Sequence, residues 1–215
     1  MTGASPPCFE GLFRETFEDL VAWRRDVRRF RRDAIDPALI ERLIRLSCLS
    51  PSVGNSQPWR FVRVASPERR ALVRDNFLAC NAAALSDYEG EQARLYASLK
   101  LAGLDDAPVH LAVFCDGDST MGHGLGRKTM PEMLAYSVVA AVTTFWLAAR
   151  IEGLGVGWVS ILDAVRVREA LAVPEAWFLV AYLCVGVPSE TSDIPELVRA
   201  GWQDRAEFAR FLLDR

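Results

Sequence analysis

Seventeen consecutive residues, Met133 to Ala149, carry no charge. A stretch of this kind has to be hidden from water, and its length limits how. It falls short of the roughly 20 apolar residues that cross a bilayer, and Tyr136, Ser137, Thr143 and Thr144 interrupt it. Small and bulky side chains mix around the whole circumference, as in a helix covered from several sides. The segment therefore predicts a long central helix from Glu132 to Glu152, ended by Gly153, lying in a core or against a second copy of the chain. With 215 residues, the chain can enclose such a helix in a single domain spanning residues 1–215.

The rest of the chain supplies elements to pack around it. Glu10 to Trp23 has the pattern of an amphipathic helix. Asp36-Pro37 opens a second helix, with an N-cap followed by proline, that runs to about Cys48. Trp59 to Ala65 alternates like a strand, and Ser66-Pro67 caps another helix. Asn81 to Leu104 reads as helical in pieces. Val109 to Cys115, Val156 to Ile161 and Trp177 to Val187 read as strands, Asp163 caps a short helix to Leu171, and the tail ends in a short helix. Helices and strands do not alternate regularly, so a layered α+β sheet fits better than a doubly wound one.

A net charge of -3 gives no global attraction to nucleic acid or anionic membrane. Cys8, Cys48, Cys80, Cys115 and Cys184 are odd in number and never form a Cys-x-x-Cys pair; they read as mostly buried free thiols in a reducing, cytoplasmic setting. Met1 to Gly11 lacks a basic region followed by an apolar run, so no signal peptide is expected. His110 and His123 are the two histidines, and neither has the spacing of a zinc site or the nucleophile elbow of a serine hydrolase, so no metal is expected. Gly122 to Thr129 imitates a phosphate loop, but Arg127 puts Lys128 out of register. Gly153-Leu154-Gly155-Val156-Gly157 imitates a dinucleotide fingerprint, but it follows a helix and precedes a strand, the reverse of the order that puts a phosphate on a helix N-terminus. Both read as turns.

Two segments carry chemistry. Trp23 to Arg32 holds six arginines in ten residues, a solvated basic face or nucleic-acid patch on the plain reading, and a bidentate site for a phosphorylated small ligand on the sharper one. Ser50 to Arg60 is a turn-rich loop in which Ser52, Asn55 and Gln57 offer donors and acceptors between Pro51 and Pro58, suited to the edge of a polar heterocycle. Trp59, Phe61 and Trp158 read as core aromatics.

Together these segments resemble the nitroreductase family of flavin proteins, in which an Arg-Arg-Ser-x-Arg segment and a Pro-Ser-x-x-Asn-x-Gln-Pro-Trp segment line the flavin mononucleotide (FMN) site. The resemblance extends over nearly the whole chain and implies a nitroreductase-like α+β fold, with a central, mostly antiparallel sheet flanked by helices, in a homodimer. Asp26 stands where many members have serine. That departure, with Gly155 to Ser160, Leu99 to Leu104 and Arg127 to Glu132, is similar to the branch of the family that consumes its flavin.

In that branch reduced FMN is the substrate and O2 the co-substrate, and the products are 5,6-dimethylbenzimidazole, the lower ligand of vitamin B12, and erythrose 4-phosphate. The resemblance implies that Arg24, Arg25 and Arg28, with Val27 between them, hold the phosphate and ribityl junction. It also implies that Ser52 and Asn55 reach the flavin from the second subunit, that Leu104 and Gly103 sit near the ring as part of a lid, and that Arg205 reaches the phosphate. Asp26 and Ser160 match the catalytic side chains: Asp26 as base or relay near the first ribityl carbon, kept ionised by its arginine neighbours, and Ser160 as a hydrogen-bonding group at the flavin's reactive edge. The bland counterparts are an ion-pair role for Asp26 and a backbone-bonding hydroxyl for Ser160. The chain has no nicotinamide fingerprint, so a separate flavin reductase is the expected electron source. The alternative on the same fold is an NAD(P)H-dependent nitro- or flavin reductase, and nucleic-acid binding through the arginines stands third.

Overall fold

The computed structural model describes residues 7–99 and 102–215. Its helices begin where the sequence offers caps. The Asp36 carboxylate accepts the Ala38 N–H at 2.9 Å at the start of α2 (Pro37–Ser47), and the Ser66 hydroxyl accepts from Arg69 at the start of α3 (Pro67–Leu85). Asp163 accepts the N–H groups of Val165 and Arg166 to open α7 (Ala164–Leu171). Each side-chain oxygen satisfies donors that the first helical turn leaves unpaired. The remaining helices are α1 (Leu12–Trp23), α4 (Gly90–Ser98), α5 (Gly103–Asp106), α6 (Met133–Ile151) and α8 (Glu196–Arg199), and the tail ends in a 3-10 turn over Phe208–Arg210.

Four strands, β1 (Trp59–Arg63), β2 (Val109–Asp116), β3 (Gly155–Val159) and β4 (Trp177–Gly186), form one sheet in the order β1-β2-β4-β3, antiparallel at every step. Alternation along the central strands sends side chains to opposite faces. Leu111, Val113 and Cys115 of β2 and Leu183 and Val185 of β4 join Ile40 and Leu43 of α2 and the buried side of α6. Ala112, Phe114, Tyr182 and Cys184 face the other way, onto Val73 and Phe77 of α3 and Val167 and Leu171 of α7. The result is a sheet between two helical layers, the α+β arrangement expected.

The central helix departs from expectation in one respect. Within the chain α6 buries a single broad face, Leu134, Val138, Ala141, Phe145 and Ala148 among it, while Tyr136, Val139 and Thr143 stay open. By length and composition alone α6 would suit a membrane span, but its buried face is packed on the sheet. An open apolar line also marks α1, where Leu12, Phe13, Phe17, Val21 and Trp23 are exposed. The cysteines divide as well: Cys115 and Cys184 are buried, Cys48 and Cys80 half-buried and Cys8 exposed, all as free thiols.

His110 is structural. It is buried in β2, with Nδ1 2.9 Å from the Tyr182 hydroxyl. Burial, reinforced by the nearby Arg70 charge, pushes its pKa down to about 4. An unfolded histidine titrates near 6.5. Between those values the unfolded chain takes up a proton that the native one refuses, so this contribution is complete above pH 6.5 and is lost as the pH falls toward 4. We predict that urea unfolding loses about 2 kcal/mol from this group between pH 6.5 and 4.5. His110→Asn, which cannot protonate in that range, should flatten the dependence by that amount; an unchanged slope would contradict the assignment.

Candidate active site

The site is built on an exposed strand edge. In the strand order β3 lies outermost, and such an edge has unpaired backbone groups that another segment can satisfy. Helix α1 ends at Arg24, whose φ of -73° and ψ of 107° turn the chain into an extended run. That run lies along β3: Asp26 bridges Val156 in parallel, and the Val27 N–H donates to the Val156 carbonyl at 3.0 Å. The approach requires glycine. A methyl group on Gly157 would sit 2.2 Å from the Val27 carbonyl oxygen, and one on Gly155 would sit 2.7 Å from the Val27 side chain. Gly155 is therefore a strand residue, not part of the turn read from the glycine run, and Gly157 lies in the strand expected from Val156 onward; the turn belongs to Gly153, with φ of 72°.

This packing fixes Asp26. Its Oδ1 accepts the Trp158 N–H at 2.9 Å, and its Oδ2 lies 3.6 Å from Arg28 Nε. Burial raises the Asp26 pKa, opposed by the Trp158 hydrogen bond and by Arg28, while Glu196 adds to the rise. The expectation that neighbouring arginines dominate is thus reversed. Arg24 and Arg25 turn elsewhere, and desolvation outweighs the one guanidinium that remains. The ion-pair role anticipated for Asp26 is present, yet 39% of its side chain stays open to solvent, so the carboxylate can still meet a ligand.

The arginines separate into two groups. The Arg24 guanidinium lies 4.8 Å over the Trp146 ring, and Trp146 donates its indole N–H to the Arg25 carbonyl at 3.3 Å. Arg25 donates to the Val21 and Ala22 carbonyls at the end of α1, where the helix dipole favours a cation. Its pKa is lowered by burial and then by the positive charges of Arg24 and Arg205, with Asp193 opposing. Arg205, exposed and far along the chain, therefore lies within electrostatic reach of the Arg24–Arg25 pair. Three cations held together against their own repulsion suit a phosphate. The Nε atoms of Arg25 and Arg28 are buried and have no hydrogen-bond partner among the described residues. These residues fit an anionic, phosphorylated molecule.

Arg24, Arg25, Asp26, Val27 and Arg28 line one cleft together with Trp146, Glu196 and Arg199. Ser160 is not part of its lining but lies close in sequence terms: it is exposed, just past the end of β3 and two residues beyond Trp158, which is at most about 7 Å along the chain. Ser52 and Asn55 are elsewhere. The Ser52 hydroxyl accepts the Gln57 N–H at 3.1 Å, and Asn55 has φ of 55° in a loop tied to Ser137 through the Val53 N–H. Ser137 and Trp146 are nine residues apart on α6, roughly 13 Å, so the Val53 end of the loop sits away from the arginine run, whereas Ser50, at the loop's start, bonds Thr144 at 2.7 Å. The loop also meets the imitation phosphate loop, backbone against backbone: a methyl on Gly122 would lie 2.3 Å from the Gly54 carbonyl oxygen. Leu104 is buried in the second core cluster, so its side chain packs there rather than lining a lid; Lys100 and Leu101 of the same motif lie outside the described residues. Trp59 is a core residue as expected, with Phe61 and Trp158 packed against that core. Glu196 and Trp146 were missed by sequence reasoning. Trp146 is hidden in an apolar run, and Glu196 lies in a four-residue helix with no periodicity to mark it.

Among the described residues no group of three or more histidine, cysteine, aspartate or glutamate side chains could hold a metal. A sequence profile of the Nitroreductase family matches residues 21–187. A 5,6-dimethylbenzimidazole synthase of Rhodospirillum rubrum is 56% identical over 199 residues, covering 93% of this chain and 94% of that protein. A second protein of that name, from Rhodobacter capsulatus, is 53% identical, covering 91% of this chain and 95% of its own length. Among solved structures, an iodotyrosine deiodinase bound to FMN and 3-iodo-L-tyrosine superposes with a TM-score of 0.72 at 22% identity, covering 92% of this chain and 97% of that one.

The glycine contact gives a direct test of the site's framework. Gly157→Ala should force the Val27 carbonyl off β3 and cost about 2–3 kcal/mol in urea unfolding. A change within about 0.5 kcal/mol, the range of an ordinary surface substitution, would show that the arginine run does not depend on this edge.

Proposed function

The chain belongs to the nitroreductase family, and on that footing we propose that it acts as a 5,6-dimethylbenzimidazole synthase, converting reduced FMN and O2 to 5,6-dimethylbenzimidazole and erythrose 4-phosphate for cobalamin biosynthesis. The observation that carries this reading is the Asp26 carboxylate, fixed by the Trp158 N–H at 2.9 Å and paired with Arg28 in a cleft that Arg24 and Arg25 also line. Identity of 56% to a protein of that activity supports it. A family member that recycles flavin needs only to hold it, whereas one that cleaves the ribityl junction needs a proton acceptor near the sugar chain. Burial makes Asp26 a stronger base than an exposed aspartate, closer to the operating pH where proton transfer is efficient.

In this reading Arg24, Arg25 and Arg205 bind the phosphate, Arg28 and the Val27 backbone lie along the ribityl chain, and Asp26 takes the proton. Ser160, two residues beyond Trp158, hydrogen-bonds the reactive edge of the flavin, and the Leu104 backbone borders the ring. Bound reduced FMN supplies the electrons and the ring system that is broken; O2 is the oxidant, and a separate flavin reductase delivers the substrate. The whole chain serves as one nitroreductase-like domain working in the cytoplasm, a setting that suits its five free cysteines.

The site is completed in a homodimer. Ser52 and Asn55 flank Val53, whose end of the loop sits away from the arginine run, so the partner's copy of that loop is the one that reaches the flavin. The open apolar line on α1 and the exposed Tyr136 and Val139 of α6 are surfaces for a second copy.

Mass spectrometry of an aerobic mixture of the protein and reduced FMN should show 5,6-dimethylbenzimidazole. Asp26→Asn, whose amide oxygen can still accept the Trp158 N–H, should slow its formation by about 100-fold or more. Ser160→Ala should slow it by up to about tenfold. FMN recovered intact after prolonged incubation, with rapid NAD(P)H oxidation by a nitroaromatic acceptor, would favour a conventional reductase instead.

A further inference from the structure

Beyond Asp26 and Arg28 the cleft continues into a chain of alternating charges, Glu196, Arg29, Glu190 and Arg199, that the reaction as described does not use. Arg28 is only 12% exposed in its side chain and is shared by two carboxylates: its Nε is 3.6 Å from Asp26 Oδ2 and 4.0 Å from Glu196 Oε2. Both distances exceed a hydrogen bond, and the Nε–H has no partner among the described residues. Glu196, 20% exposed, is held in turn by Arg29 at 3.9 Å. Arg29 shares Glu190 with Arg199 of α8, at 3.5 and 3.4 Å. The network holds Glu196 beside the same Arg28 nitrogen that faces Asp26, so the two carboxylates share it.

We propose that Glu196 is a positioning residue that holds Arg28 back from a full ion pair with Asp26 and so leaves the Asp26 carboxylate free to take a proton. The inference rests on the reading of Asp26 as the proton acceptor. Without Glu196, Arg28 is drawn to one carboxylate instead of two. A hydrogen-bonded guanidinium at Asp26 would favour the ionised form and make a weaker base.

The charges around Asp26 are few. Arg28 comes from its own segment and Glu196 from α8. From β4 comes the Cys184 thiol, which burial pushes up to about 12, so it stays neutral. From β3 comes the Trp158 backbone N–H. Arg24 is turned to Trp146 and Arg25 to the end of α1. Of the two charged partners, Arg28 favours the carboxylate and Glu196 the acid.

The test is the pH profile of 5,6-dimethylbenzimidazole formation from reduced FMN, with FMN affinity measured in parallel. A base must be unprotonated, so the rate falls on the acid side through the titration of Asp26. Glu196→Gln removes a negative charge, and the acid limb should move to lower pH by about 0.5–1 unit. The plateau rate should fall about three- to tenfold, with FMN affinity changed less than twofold. Glu196→Asp keeps the charge but withdraws it by one methylene; its limb should lie between the other two, and it carries the test if the glutamine variant does not fold. Acid limbs that superpose for wild type and the folded variants, or a loss confined to FMN affinity, would overturn the role of Glu196. Absence of product from the wild type would instead overturn the reading of Asp26 on which it rests.

Discussion

The functional cleft depends on one backbone contact: the extended run after α1 lies against the edge of β3, where Gly155 and Gly157 let the Val27 main chain approach. The Arg24–Arg29 side chains inherit their positions from that contact. Arg24 and Arg25 project before the point of contact, and Arg28 and Arg29 after it. Asp26 is locked at the junction by the Trp158 N–H. Strand β3 is itself held by β4, whose other neighbour is β2, so the site is carried by the most buried part of the sheet.

The cleft has two electrostatic characters. At one end burial, and then the charges of Arg24 and Arg205, lower the Arg25 pKa, with Asp193 opposing. At the other end Asp26, Arg28, Glu196, Arg29, Glu190 and Arg199 alternate in sign. The first arrangement suits a phosphate. The second leaves a partly desolvated carboxylate with one shared cation, which is what a base near the ribityl chain requires.

Much of this was legible in the sequence. The caps at Asp36, Ser66 and Asp163, the strands and the long α6 follow from local rules, because side-chain oxygens at helix starts and alternation in strands act over a few residues. The arginine run and the Pro51–Trp59 loop pointed to the flavin family. Features that depend on long-range packing were not legible. Gly155 looks like part of a turn until Val27 is laid across it, and the strand pattern at Gly157 does not announce the close approach of the Val27 carbonyl. The direction of the Asp26 shift reverses because burial, which sequence does not report, outweighs a neighbour count. Leu104 reads as a lid residue but packs in the core, and Glu196 acquires its role only through α8, some 170 residues from Arg28.

The central claim is that the carboxylate at position 26 meets the sugar-alcohol chain of the flavin while its other oxygen remains on the Trp158 N–H. The most direct measurement is a crystal structure of the chain with reduced FMN, prepared without oxygen. The account predicts one Asp26 oxygen within about 3.2 Å of the ribityl chain or of a single water joined to it, with the phosphate among Arg24, Arg25 and Arg205. An Asp26 side chain turned away from the ribityl chain, with no such water, would contradict it.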